Sequence, residues 1–499
     1  MMIAVSSTEI TTERASLGGV AHSGTLRRRV FENIAGLLGG RALSLLLSAV
    51  TSILLARYLG SLNLGRYASL YAYVGLFAWL ATFGLDQIMI REAARRRREA
   101  GSILMTGAAL GLVFGGLTTL LALWAAPLAG YTGQFRWLLA LAALDTLVLA
   151  PLKLPGLVFQ VDLRQWYGVG IGIIRQVVWL AIILFCASLK ASLPLVVFGR
   201  AICGVVETAL ILSVSFRFFE GSWRFLSGDV RTLMAHSAPL AFTALAVSVY
   251  LRVDQVLLHR LVNDQELGYY VSAVNLTEVF SALPVAVMAS LFPILSQLHN
   301  ERGRFQRYAD LGFRYLAIAA FGVCLLVTIA ARDAVQILYG QSFRRAAPML
   351  AVLIWSLGAV FFGVVMSNVL IARNLQRLMV VPAVIGALVN LALNLLAIPR
   401  WGGLGAAWAT TISYTLAGVS GFLLFPEARP LLRFGLKTFL GAGILAGGLV
   451  AILSPLGLPV TAKLLLGGLA YLAGVWLAGF LKVEDLDRAW AATGRKLFA

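Results

Sequence analysis

Ten polar side chains stand inside long apolar stretches of this 499-residue chain, and they are of the types that hold anions, carry protons or bond sugars. Four are arginines: Arg41, Arg175, Arg200 and Arg252. A guanidinium stays protonated and presents a planar fork of donors that matches phosphate oxygens. Four are carboxylates, Asp145, Glu207, Asp254 and Glu278, able to answer those cations or to hold and relay a proton. Two are amides, Asn390 and Asn394, able to bond sugar hydroxyls or a neighbouring helix. A charge at mid-membrane costs about 2.5–3.5 kcal/mol on insertion scales, so such residues face a bundle interior or a wet cavity. Arg200 and Glu207 lie two helical turns apart on one face, too far to meet directly, though each can meet a neighbouring helix. Arg252 and Asp254 are two residues apart and point to different sides. Each arginine is thus open to two readings, structural pairing or cavity lining. Lys153 and Asp86 lie nearer the ends of their stretches and read as side chains reaching for the interface.

Positioning these residues requires elements that cross a bilayer. The chain is 60% hydrophobic and 13% charged, with a mean hydropathy of +0.87, whereas a soluble domain carries about 25% charged residues. Backbone groups in lipid must be satisfied internally, so each crossing needs about 20 mostly apolar helical residues. Runs of that length predict fourteen spans, at 32–56, 65–90, 101–126, 136–160, 167–188, 192–216, 229–258, 266–295, 308–331, 346–372, 378–398, 403–425, 432–453 and 460–482. Continuous apolar runs exclude a β-barrel, which would show short alternating strands. Pro151 and Pro155 fall in the fourth span, and Pro239, Pro284 and Pro293 in or near the ends of the seventh and eighth. Such prolines suit a rocking motion or a static kink equally.

Connections are short. The longest, near 217–228, 296–307 and 332–345, run to about a dozen residues, too few for a soluble catalytic domain. No GxxxxGK[ST], no HExxH and no Cys/His cluster occurs. Cys186, Cys203 and Cys324 lie within spans as small core residues, and His22, His236, His259 and His299 are scattered. An enzyme, a metal and a bound cofactor are therefore not expected. The spans themselves must carry the function.

The net charge of +19 first suggests nucleic acid, but its distribution reads as topology. One set of alternating connections, with both tails, holds 25 basic residues, including Arg14, Arg27–Arg29, Arg91, Arg95–Arg98, Arg302, Arg373, Arg429 and Lys482. The opposite set holds 10, among them Arg57, Arg66, Arg260 and Arg400. Lys/Arg-rich loops are cytoplasmic, which puts both termini inside and makes anionic lipid head groups a natural partner. The first 30 residues lack a short apolar core with a cleavage site, so the first span reads as an uncleaved anchor.

At an offset of 203 residues the chain matches itself. Leu54–Phe77 (LLARYLGSLNLGRYASLYAYVGLF) and Leu257–Phe280 (LLHRLVNDQELGYYVSAVNLTEVF) agree at eight of 24 positions, including Arg57/Arg260, Gly65/Gly268 and Tyr67/Tyr270. Six spans separate the copies, so both have the same membrane orientation. The expected fold is all-α and polytopic, with two six-helix lobes related by a pseudo-two-fold axis along the membrane normal. The expected division is a tail at 1–30, an N-lobe at 31–216, a linker at 217–228, a C-lobe at 229–425, two appended spans at 426–482 and a tail at 483–499.

The stretches ARYLGSLNLGRYASL and GLDQIMIREAARR, RVDQVLLHRLVNDQELGYYVSA at 252–273, ILYGQSFRRAAPMLAVL at 337–353 and NLLAIPRWGGLGAAWATTISY at 394–414 carry a family resemblance. Over roughly residues 31–425 the chain resembles the polysaccharide-export flippases of the multidrug/oligosaccharidyl-lipid/polysaccharide exporter superfamily. That resemblance implies a two-lobed, alternating-access transporter in the bacterial inner membrane. It would move polyprenyl-pyrophosphate-linked oligosaccharide from inner to outer leaflet, driven by protons, sodium or membrane potential, and work beside a polysaccharide polymerase and export proteins. Arg41, Arg175, Arg200 and Arg252 would then form a cationic cavity for the pyrophosphate. A drug or cation antiporter of the same superfamily would favour an acidic cavity, which Asp145, Glu207, Asp254 and Glu278 keep open. A lipid-II-type flippase also suits fourteen spans. A glycosyltransferase or polymerase would need a long acidic external loop, which is lacking.

Overall fold

The computed structural model describes residues 23–133, 135–162, 164–219, 224–426 and 429–481. Arg14, His22, the residues from Lys482 onward and most of both expected tails lie outside them. Every regular element among the described residues is helical. The main helices of the first half are α1 (Ser23–Leu76), α2 (Leu85–Arg95), α3 (Ala100–Ala125), α4 (Phe135–Ala143), α5 (Trp166–Ser188) and α6 (Leu193–Ser215). Then come α7 (Ser227–Leu261), α8 (Asp264–Glu278), α9 (Ala282–Gln297), α10 (Arg302–Tyr339), α11 (Ala346–Leu353), α12 (Ser356–Ala372) and α13 (Val380–Leu424). Two more, α14 (Arg429–Leu453) and α15 (Val460–Leu477), follow.

Eleven helical segments among the described residues are long and apolar enough to cross a membrane. Large apolar side chains such as Leu120, Trp124, Leu388, Leu469 and Leu477 face outward, as befits helices whose solvent is hydrocarbon. The expected fourteen crossings are not established by these eleven. Two of the segments, Gly39–Leu76 and Arg377–Gly421, each run through a position where a turn between spans was expected, and α7 is not among the eleven. Both runs are bent at a glycine. Gly60 (φ 68°, ψ 173°) kinks α1 and Gly402 (φ 55°, ψ −133°) kinks α13. Positive φ is accessible to glycine without Cβ strain, and at each of these glycines the backbone leaves helical geometry, so two helices meet at the expected turn.

The sequence repeat becomes a reciprocal contact. A Cβ on Gly65 would strike the backbone carbonyl of Asp264, and a Cβ on Gly268 would strike that of Ser61. Residues 61 and 264, like 65 and 268, are 203 apart, so residue i meets j while the copy of j meets the copy of i. That is the signature of an isologous two-fold contact, here between α1 and α8 within one chain. Charges reinforce it. Arg57 donates to the carbonyls of Ile337 and Leu338, the latter at 2.6 Å, near the C-terminus of α10, where a cation also answers the helix dipole. Arg260 of α7 lies against Gly130, and Arg66 approaches Asp264 at 3.5 Å. One core cluster runs through this junction, joining Leu55, Leu64 and Tyr73 to Leu267, Tyr270, Val335 and Ile398.

Candidate functional site

The fourth expected span is where regular helix fails. After α4 the backbone forms a π-helical turn, Leu144–Val148, then a single α-turn, then a 3₁₀ turn at Leu154–Leu157. Pro151 and Pro155 each remove a backbone donor, so the ladder cannot continue, and π turns frequently mark functional positions. The break aims Asp145 and Lys153 at α6. Gly204 of α6 has no side chain where one would collide with the Asp145 carboxylate. Arg200 Nε stands 3.5 Å from Asp145 Oδ2. Glu207 takes two partners, Lys153 Nζ at 2.5 Å on Oε2 and Arg175 Nε at 3.2 Å on Oε1. Arg200 and Glu207 are thus answered by neighbouring helices. Lys153 does not simply reach for the interface; it is half-buried in an ion pair. Asp86 is exposed in the first turn of α2, where the helix dipole favours an anion.

Three of the four expected arginines converge on one cavity of about 270 Å³ between the two halves. Arg175 reaches it from α5, Arg200 from α6 and Arg252 from α7. Polar walls come from Ser48, Thr51 and Tyr71 of α1, Gln176 of α5, Gln255 of α7 and Asn275 of α8. Glu278, at the end of α8, is the one carboxylate among the described lining residues. The Arg200 guanidinium sits 5.2 Å from the Trp179 ring centroid and 5.9 Å from that of Tyr71, cation–π contacts that hold it across α5 and α1. Arg252 crosses over Gly75 of α1. It makes no ion pair among the described residues, and its side chain is exposed to the cavity. The Tyr71 hydroxyl is buried with no hydrogen-bond partner among the described residues.

The remaining expected residues lie elsewhere. Arg41 is exposed on α1 and does not line this cavity. Asp254 faces the interior of the second half, where it accepts from the Tyr270 hydroxyl at 2.5 Å and from the Gln255 backbone N–H at 2.7 Å. Tyr270 is 3.2 Å from the Thr410 hydroxyl. Asn394 donates to Asn390 Oδ1 at 3.0 Å, and Asn390 donates to Ser413 Oγ at 3.0 Å. All of these residues are buried, and Asn394 Oδ1 has no partner among the described residues. Trp179, Gln255, Asn275 and Tyr71 were not anticipated in the cavity. Helical spacing carried a signal for two of them, since Trp179 follows Arg175 by four and Gln255 follows Arg252 by three.

No group of three His, Cys, Asp or Glu side chains able to hold a metal occurs among the described residues. A second cavity, of about 430 Å³, is walled by Phe321, Trp355, Phe362, Trp408 and Phe439 and contains none of the expected site residues.

The polysaccharide biosynthesis protein family matches residues 30–299, more than half of the chain. The chain belongs to that family. Residues 239–396 of this family member also match the MatE family, in keeping with the superfamily that the sequence motifs resemble. Among curated proteins it is 28% identical over 244 residues to "Probable flippase AglR" of Haloferax volcanii, covering 46% of this chain and 50% of that protein. A "Probable low-salt glycan biosynthesis flippase" of the same organism is 24% identical over 372 residues, covering 72% of this chain and 76% of the relative. The fold is that of "Lipid II flippase MurJ, inward closed conformation", with a TM-score of 0.70 at 14% identity, over 88% of this chain and 97% of that one. The all-helical polytopic fold expected from the sequence is thus established, though not its count of fourteen spans.

Proposed function

We propose that this polysaccharide biosynthesis family member is a flippase that carries a lipid-linked oligosaccharide with a pyrophosphate head group across the cytoplasmic membrane through the cavity between its two halves. The observation that carries the reading is the convergence of Arg175, Arg200 and Arg252 on one polar cavity, with Glu278 the one carboxylate among its described lining residues. A diphosphate needs fixed cations at membrane depth, and guanidinium forks supply paired, charge-assisted donors there. The two H. volcanii relatives named as flippases support the reading.

The arginines divide the work. Arg200 is anchored by Asp145 and two aromatic rings and holds a fixed positive centre. Arg252 makes no ion pair among the described residues and approaches from the opposite half, so it closes on the head group as the halves move. Tyr71, Gln255 and Asn275 offer hydrogen bonds to phosphate or sugar oxygens. Asp254 serves as the coupling group. Its carboxylate accepts from the Tyr270 hydroxyl, which meets Thr410; Ser413 bonds the Thr410 carbonyl and connects through Asn390 to Asn394, whose Oδ1 has no partner among the described residues. Oxygen ligands around one carboxylate suit a proton or a small hard cation.

Replacing Arg252 with Ala removes charge-assisted bonds worth about 1.5–3 kcal/mol, about a ten- to hundred-fold loss of head-group affinity. In proteoliposomes this variant should flip a polyprenyl-pyrophosphate-linked disaccharide with a correspondingly raised KM and normal protein yield. An unchanged KM would remove Arg252 from the site.

A further inference from the structure

The two cavity arginines of the first half are held by different arrangements. Arg200 faces one carboxylate, Asp145, at 3.5 Å. Arg175 faces Glu207, whose second oxygen is already bonded to Lys153 at 2.5 Å. Arg175 lines the cavity; Lys153 and Glu207 stand behind it and do not. Moving Arg200 onto an incoming anion would break the ion pair of Asp145 and leave that carboxylate facing only the more distant charges of Lys153 and Arg175, and weakening a buried pair is unfavourable. Moving Arg175 leaves Glu207 paired with Lys153.

We infer that Lys153 is a positioning residue that makes Arg175 releasable, holding Glu207 while Arg175 turns to the anionic head group. Glu207 then takes Arg175 back as the head group leaves, so the same carboxylate weakens binding and drives release. The backbone supports this placement. Lys153 sits between Pro151 and Pro155, its N–H bonded to Ala150 O at 3.1 Å and its carbonyl to Gly156 N–H at 3.0 Å. Its side chain therefore projects from a fixed break in the helix rather than from a regular turn. The inference rests on the cationic-cavity reading above and assigns unequal parts to its arginines.

The two residues should shift KM in opposite directions. With a polyprenyl-pyrophosphate-linked disaccharide in proteoliposomes, Lys153→Gln leaves Glu207 with Arg175 alone and should raise KM about ten-fold with little change in kcat. Glu207→Gln frees Arg175 permanently and should lower both KM and kcat, because release slows. The double variant should return KM to the wild-type value or below, and Lys153→Arg should preserve it. If both single variants lower kcat with KM unchanged, and the double variant rescues nothing, the pair is a structural tie and the inference is overturned. If Lys153→Gln fails to fold, the KM of the double variant and of Lys153→Arg decides the matter. Arg252→Ala in the same assay separates the two levels. A raised KM there with none in Lys153→Gln defeats this inference alone, whereas no change in either defeats the cavity reading itself.

Discussion

Residue types inside apolar runs pointed to the cavity, because a permanent charge at membrane depth needs a reason. Arg175, Arg200 and Arg252 could be picked out on that ground, and the separation of Arg252 from Asp254 followed from helical geometry. Which charges pair was not legible. Lys153 meets Glu207 across a distance of 54 residues, and only the broken fourth span brings them together. Arg41 has the same residue type and the same apolar surroundings as the others, yet it lies exposed and outside the cavity; residue type alone does not encode depth in a bundle. Asn390 and Asn394 proved to bond each other and Ser413, a helix-to-helix use, while leaving one amide oxygen bare beside the Asp254 network. If that network couples transport to an ion, Asp254→Asn should flip substrate down its gradient at a normal rate but lose stimulation by an imposed sodium or proton gradient. Gradient stimulation that persists in Asp254→Asn would move the coupling site elsewhere.

Among the elements, helix positions were legible from apolar run length, and their breaks were not. At Gly60 and Gly402 two helices meet at a single non-helical glycine with no intervening loop, so the length of a helical run does not give the span count. The π turn holding Asp145 has no run-length signature at all. The self-match at 203 residues was legible, and its meaning came from packing: Gly65 and Gly268 are where two helix backbones meet. Adding a side chain there forces α1 and α8 apart. Gly65→Val and Gly268→Val should each destabilise the folded protein by about 1–3 kcal/mol and lower its thermal midpoint by similar amounts. Gly116→Val, where a Cβ would meet nothing within 4 Å, should not. Midpoints for Gly65→Val and Gly268→Val that match the wild type would contradict the two-fold junction.

Taken whole, the molecule is two helical halves pinned together through α1 and α8, with a polar cavity directly beside that junction. The basic residues divide between the loops, where the sequence reading takes them to set orientation, and a small set around the cavity. Under the proposed function, the halves would rock as rigid bodies about the cavity, and the cations that α5, α6 and α7 bring to it would tighten or relax on the head group. The central claim is that the cavity selects its cargo by head-group charge. The most direct measurement is leaflet-to-leaflet transfer in proteoliposomes of two lipids that share tail and sugar, one with a pyrophosphate link and one with an uncharged link. The account predicts transfer of the pyrophosphate lipid about a hundred-fold above the uncharged one, the yield of losing one to two charge-assisted contacts. Equal transfer of both lipids would contradict it.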